Sequence, residues 1–435
     1  IKIKQAFWGS AAMHIKADNP TTIEVLKANP EVEYVEPNYL LSVNPVDIQP
    51  FGVAPQNTDV YDQSNSKVEV TEAWAIQKPY NQGTKTVVAV IDTGLAYNHG
   101  LFTGANAVWK NTAELNGQAG VDDDHNGYID DIQGWNYVAN SNDPLDDDDH
   151  GTHVSGIILG VGQDVLALPV RESKVQIMPL KFLDANGSGS TANAVNAIYY
   201  AVNMGARVIN NSWGGSSYSR SLHDAYTYAY NHGVVIVSAA GNANSNNDLT
   251  PMYPANLDTP NNISVGASTD SDKKASFSNF GSNVHVAAPG VAIISTVPGT
   301  GCANPGCYQM MSGTSMAAPF VAGLAALVLR EAPQLSPYQV RNVIMSSVDN
   351  ISAFSGKVST SGRVNALNTI QTAISQSNVA AYSPSYSPVY KTDRSVASEE
   401  AAAPAAGCGL VKAVMDSSGG GPTAGQAVQS VIVMV

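Results

Sequence analysis

The chain has 435 residues, 44% of them hydrophobic and 13% charged, with a formal net charge of −14. That length allows a large core with appendages, the hydrophobic share excludes a disordered polymer, and the acidic balance excludes a nucleic-acid binder, which needs a basic face. No run of 18 apolar residues offers a membrane span, and the first residues carry no signal-peptide pattern.

Residues 1–45 read as a small α+β unit of their own. Residues 12–16 alternate like a strand, Thr21 with Glu24 forms a capping box opening a short helix that ends near Pro30, and residues 32–35 read as a second strand. Residues 46–70, rich in Pro, Asn, Asp and Ser, read as a linker.

A different pattern begins at Thr86. Residues 86–91 are a continuous apolar, largely β-branched run, as a strand buried on both faces of a parallel sheet requires. Similar runs recur at residues 176–180, 208–209, 234–237 and 263–265, with helical stretches at 192–204, 221–232, 316–330 and 336–348. The alternation predicts an α/β domain over residues 71–376, a doubly wound, mostly parallel sheet flanked by helices. Chemistry in such a fold sits at the carboxyl ends of the strands, where Asp92 and Asn242 fall. The Ala/Pro/Ser-rich residues 377–435 hold too few large apolar side chains for a core and are expected to form a flexible tail. Its end, residues 428–435, is largely apolar and reads either as the start of an anchor or as a frayed end.

Ten aspartates crowd the stretch from Asp122 to Asp149. Asp122, Asp124, Asn126 and Gly127 follow the D-x-D-x-N-G pattern of the first half of an EF-hand-type loop, which presents oxygen ligands at alternate positions. Tyr128 follows, Gln133 stands where the closing Glu would be, and closure would fall to Asp130 or Asp131, so a structural Ca²⁺ is expected. The second cluster, Asp146 to Asp149, reads as a solvated loop, a second cation site, or an attractor for basic substrates.

Ser315 lies between Gly313-Thr314 and a long apolar helix, where unsatisfied helical N–H groups would stabilise negative charge forming nearby. A helix-capping serine is the ordinary reading of such a segment, and a satisfied buried histidine that of His150 or His153. Their company decides otherwise: Val90-Ile91-Asp92-Thr93-Gly94, His150-Gly151-Thr152-His153 and Ala239-Ala240-Gly241-Asn242 precede the Ser315 segment, giving the chain order Asp, His, Ser.

With these four motifs the chain resembles the subtilisin-like serine proteases, the subtilases. The resemblance, over roughly residues 10–375, implies a nucleophile at Ser315, a general base at His150 oriented by Asp92, and an oxyanion donor in Asn242, with His153 structural. It implies that Ser212, Trp213 and Gly214 pair with an extended substrate and form one wall of the S1 pocket. Gly187 and Gly189 would flank the substrate's other side, and Ala239, Ala240 and Gly241 would form the opposite S1 wall, favouring apolar or aromatic P1 residues. Residues 1–45 would be an inhibitory propeptide with a truncated start, processed within 46–70. Cys302 and Cys307 flank a Pro-Gly turn and could close a small loop by a disulfide, which fits an oxidising compartment; reduced thiols are the alternative. A secreted or cell-surface monomer acting on proteins and peptides follows. Alternatives are a processing protease with narrow basic specificity and a silent binding module that keeps the fold.

Overall fold

The computed structural model describes residues 2–7, 11–17, 19–43, 46–50, 62–77, 85–162, 173–299, 307–378 and 429–434. In the N-terminal unit, β1 (Lys2–Ala6), β2 (Ala12–Ala17), α1 (Pro20–Lys27) and β3 (Tyr34–Pro37) are followed by two extended segments, β4 (Leu40–Ser42) and β5 (Val46–Pro50). The cap of α1 is Asn19, whose side chain accepts from Thr22 N, with Pro20 in the first turn; the expected Thr21 capping box does not form. Pro20 explains the shift, since its fixed φ and missing N–H suit the first helical position. The strand expected at 32–35 begins two residues later, at Tyr34.

Short helices α2 (Asp62–Lys67) and α3 (Val70–Ile76) lead to β6 (Thr86–Asp92). Then come α4 (Gly100–Gly104), α5 (Thr112–Asn116), β7 (Trp135–Asn136), α6 (His150–Gly162), β8 (Val175–Lys181) and β9 (Ser188–Ser190). The alternation continues through α7 (Thr191–Asn203), β10 (Val208–Asn211), α8 (Arg220–Asn231), β11 (Val235–Ala239), β12 (Asn262–Ser268) and β13 (Val286–Pro289). A hairpin of β14 (Ile293–Val297) and β15 (Cys307–Ser312) precedes α9 (Thr314–Glu331) and α10 (Pro337–Ser346). The domain closes with β16 (Asp349–Asn350), β17 (Gly362–Arg363) and α11 (Ala366–Ser375).

Among the described residues the main sheet has nine strands in the order β16-β17-β13-β12-β11-β10-β6-β8-β7, parallel except at the β16 edge. The expected doubly wound α/β sheet is therefore present. Alternate residues of β6 feed two cores: Val88 and Val90 pack with α6 and α9, Ala89 and Ile91 with α7 and α8. Burial on both faces is why the run lacks polar alternation. Helix α9 is long and apolar enough for a membrane span by composition, yet it lies almost wholly inside the protein. There it packs across both halves of the sheet.

Two sequence expectations are corrected. The linker segment begins as β5, which pairs antiparallel with β15, and ends in α2 and α3. The tail contains β18 (Gln429–Met434), an ordered strand between β2 and β3 in the N-terminal sheet, of order β1-β2-β18-β3. Composition averaged over the whole tail hid the run of five apolar residues 431–435, and the partners of β18 lie at the other end of the chain.

Candidate active site

Asp92 is the last residue of β6, and Ser212 lies at the same level on the neighbouring path, because Asn210 of β10 pairs with Val90. Helix α6 opens with His150, whose Nδ1 lies 2.8 Å from Asp92 Oδ1. Asp92 also accepts from the Thr93 backbone N–H at 2.7 Å. Both side chains are buried, and His150 Nε2 has no hydrogen-bond partner among the described residues. Burial pulls the His150 pKa down, but the Asp92 charge and hydrogen bond, with Asp148 and Asp146, outweigh it and leave the pKa raised.

Ser315, in the first turn of α9, donates its hydroxyl to Ser212 O at 3.1 Å, while Ser212 Oγ donates back to Ser315 O at 2.9 Å. The second bond has a local cause. Pro319 sits four residues on and offers no N–H, so the Ser315 carbonyl lacks its helical donor and Ser212 supplies one. Ser212 thus connects the strand edge carrying Asp92 to the helix carrying Ser315. The Ser315 hydroxyl is turned to Ser212 O and not to His150.

Asn242 follows β11 by a turn through Gly241, whose φ of +105° lies in the left-handed region that favours glycine. A Cβ there would stand 2.6 Å from Asn279 Nδ2. The Asn242 carbonyl oxygen accepts from both Thr314 N and Thr314 Oγ1 at 2.9 Å, which turns its amide nitrogen toward the start of α9. A recess beside Ser315 is lined by Ser212, Trp213 and Gly214 on one side and by Ala239, Gly241 and Asn242 on the other. Ala240 is fully buried behind it and its carbonyl accepts from Asn247 and Asn279. Met252 reaches across the recess, its sulfur 3.2 Å from a Cβ placed on Gly214 and its methyl 3.1 Å from one on Gly241. The remaining cavity is about 10 Å³, the size of one water. Ser42 of the chain's own segment also lines the recess, so this is the room left with that segment in place.

The chain itself runs through the cleft. β4 pairs antiparallel with β9, Leu41 opposite Gly189, and Ser42 exchanges backbone hydrogen bonds with Gly214 at 3.0 and 3.1 Å. Val43 N donates to Gly187 O at 3.0 Å. A Cβ on Gly187 would lie 2.3 Å from Val43 Cγ2, so the bare backbone is what admits the segment. The N-terminal unit is anchored on the two adjacent helices. Glu36 accepts from Arg220 N, Ser221 N and the Ser219 and Ser221 hydroxyls at the start of α8, and Tyr39 O accepts from Thr191 N at the start of α7.

Sequence reasoning missed two supports, Asp146 and Lys181. Asp146 is a buried bracket, not part of a solvated loop: it accepts from Thr93 Oγ1, from the backbone N–H groups of Asp148, Asp149 and Thr152, and from Thr152 Oγ1, fixing the entry to α6. Lys181 is buried at the strand edge, donating to Thr93 O, Leu183 O and Asp147. His153 Nε2 reaches the carbonyls of Ile293 and Gln309, and burial drops its pKa to about 3, so it is a neutral structural group as expected.

The acidic loop also departs from expectation. Asp122 accepts from the N–H groups of Asn126 and Gly127, Asp130 from that of Gly120, and Glu114 from those of Asp123, Asp124 and Asp130. The carboxylates that converge are Asp124, Asp131 and Glu114, with ligand atoms within 4.8 Å of one another. Asn126 and Asn111 bridge Asp124 to Asp131, Tyr128 N donates to Asn126 Oδ1, and Tyr200 donates to Asp131. Burial raises the Asp131 pKa, the expected cost of a carboxylate held among others. An all-oxygen set of this kind suits a hard cation such as Ca²⁺. Glu114 lies outside the D-x-D-x-N-G pattern, so only the fold could reveal it. Cys307 is disulfide-bonded, and Cys302 lies outside the described residues.

The profile of the Subtilase family matches residues 83–392. A thermophilic serine proteinase of Bacillus sp. (strain AK1) is 36% identical over 352 residues, covering 80% of this chain and 75% of that protein. Thermitase of Thermoactinomyces vulgaris is 35% identical over 305 residues, covering 70% of this chain and 94% of thermitase. Subtilisin-like protease 1 of Plasmodium berghei is 35% identical over 316 residues; the match takes in 68% of this chain and 51% of that protein.

Proposed function

The chain belongs to the subtilase family and is a serine peptidase, and from that premise we propose that it is an endopeptidase made as a zymogen, acting through Asp92, His150, Ser315 and Asn242. The observation that carries this reading is the protein segment Leu40–Val43 laid antiparallel between two glycine-bearing edges, beside the serine. That is how an extended peptide substrate would bind, by strand addition.

In the proposed mechanism Ser315 Oγ leaves Ser212 O, gives its proton to His150 Nε2 and attacks the substrate carbonyl to form an acyl-enzyme. Asp92 holds the imidazole by Nδ1 and stabilises its charged form. The developing oxyanion meets the Asn242 amide and the first N–H groups of α9, whose direction Thr314 and the helix fix. His150 then returns the proton to the leaving amine, and water repeats the cycle to release the acid.

Residues 1–43 would act as the inhibitor, occupying the cleft until the chain is cut beyond Val43. The set Glu114, Asp124, Asp131 with Asn126 would hold a structural Ca²⁺, tying α5 to the acidic loop. The disulfide at Cys307 supports a secreted or cell-surface location. A second reading, preference for basic substrates, draws on Asp148, whose Oδ2 lies 4.0 Å from a Cβ built on Gly187, beside Val43. Casein zymography of wild type beside Ser315→Ala tests the main proposal, because clearing that survives the substitution would refute the assigned nucleophile. Cleavage-site profiling with a peptide library tests the second reading. A basic residue required at the position occupied by Val43 would favour it.

A further inference from the structure

The N-terminal unit is built around a strand from the far end of the chain. β18 pairs with β2 along its whole length and with β3 from Val431 to Met434. Glu33 N also donates to Met434 O at 2.9 Å and Asn38 N to Ser430 O at 3.1 Å. Val431 and Val433 complete the unit's own core of Met13, Ile15, Ile23 and Leu26, while the fully buried Ile432 joins the core of the catalytic domain. Without β18, the strands β2 and β3 have no shared neighbour, and what remains is a two-stranded hairpin with one short helix, an arrangement of marginal stability in water.

These facts have a covalent consequence. A processing cut beyond Val43 turns residues 1–43 into a separate peptide, whereas β18 stays joined to the catalytic domain through residues 379–428. Resting on the zymogen reading above, we propose that β18 tethers the cut inhibitor to the enzyme, so that activation takes two breaks, one beyond Val43 and one within residues 379–428. The tether holds its strand at a high local concentration next to the cleft, so the cut inhibitor rebinds faster than it diffuses away. A break in the tail converts this into a bimolecular equilibrium that dilution dissolves.

The test compares the full chain, a chain ending at Ser377, and a full chain carrying Ile432→Asp. After processing, each is passed over a sizing column, residues 1–43 are followed by mass spectrometry, and accessible serine is read by its rate of labelling with a fluorophosphonate. The full chain is expected to retain the fragment and to label at least about tenfold more slowly than either variant. Equal retention and equal labelling in all three would overturn the tether. In parallel, hydrogen exchange over residues 12–37 is followed in uncut Ser315→Ala chains with and without Ile432→Asp. Loss of protection in the double variant is expected, and unchanged protection overturns the proposal whatever the enzyme's activity. No labelling in any chain would instead refute the serine-peptidase assignment while the exchange result still decides the tether.

Discussion

His150 Nδ1 and Asp92 Oδ1 stand 2.8 Å apart in a buried site although 58 positions separate them in the chain. The pair engages Nδ1 and so leaves Nε2 as the ring nitrogen that could take a proton. It also sets the pH at which that nitrogen becomes available.

The His150 pKa is raised, with Asp92, Asp148 and Asp146 opposing the downward pull of burial. The base must be neutral to accept a proton, so activity falls as pH drops through that raised value. Asp148→Asn removes one charge that favours the protonated form, and the acidic limb of kcat/KM is expected to move to lower pH. A pH profile of wild type and variant checks this, and an unchanged or upward-moving limb contradicts it. Asp92→Asn should cost about 10⁴-fold in kcat, the size of the corresponding loss in a serine protease of another fold.

Asn242→Ala should lower kcat by about 10² to 10³-fold with little change in KM, because the amide meets charge that exists only in the transition state; the range is that of subtilisin, a member of the same family. Steady-state kinetics on a chromogenic peptide distinguishes this from a binding defect, in which KM would rise instead.

Met252 spans the recess beside Ser315 and leaves it about 10 Å³. Small P1 residues should therefore be preferred over the aromatic ones the wall glycines and alanines suggest. Met252→Ala should raise kcat/KM for a P1 phenylalanine peptide by about 10-fold or more relative to a P1 alanine peptide. Equal ratios in the two proteins would show that Met252 does not set the pocket's depth.

Chelation should lower the melting temperature by about 4 °C, the scale for a ligand held at roughly a hundred times its dissociation constant in a domain of this size. Asp131→Asn should abolish that chelator sensitivity, since the buried carboxylate is common to every bridge in the cluster. Asp122→Asn should retain part of it, because Asp122 serves the loop backbone. Differential scanning calorimetry with and without chelator decides the point.

The parallel sheet was legible in the chain because strands buried on both faces have no polar alternation, and residues 86–91 display this without ambiguity. Short strands with mixed exposure, β4 and β9 among them, carry no such signal, since they are held by partners 146 or more residues away. The types and order of the proposed catalytic residues are likewise written in local motifs, each with its own turn or helix start. What only the tertiary structure decided is which groups converge: that Ser212 rather than His150 holds the Ser315 hydroxyl, that Glu114 joins Asp124 and Asp131, that Met252 reaches across the recess, and that β18 enters a sheet begun 427 residues earlier, at Lys2. Local sequence specifies backbone propensity and the chemistry a side chain can offer. Its partners are set by long-range packing, which no window of neighbouring residues contains.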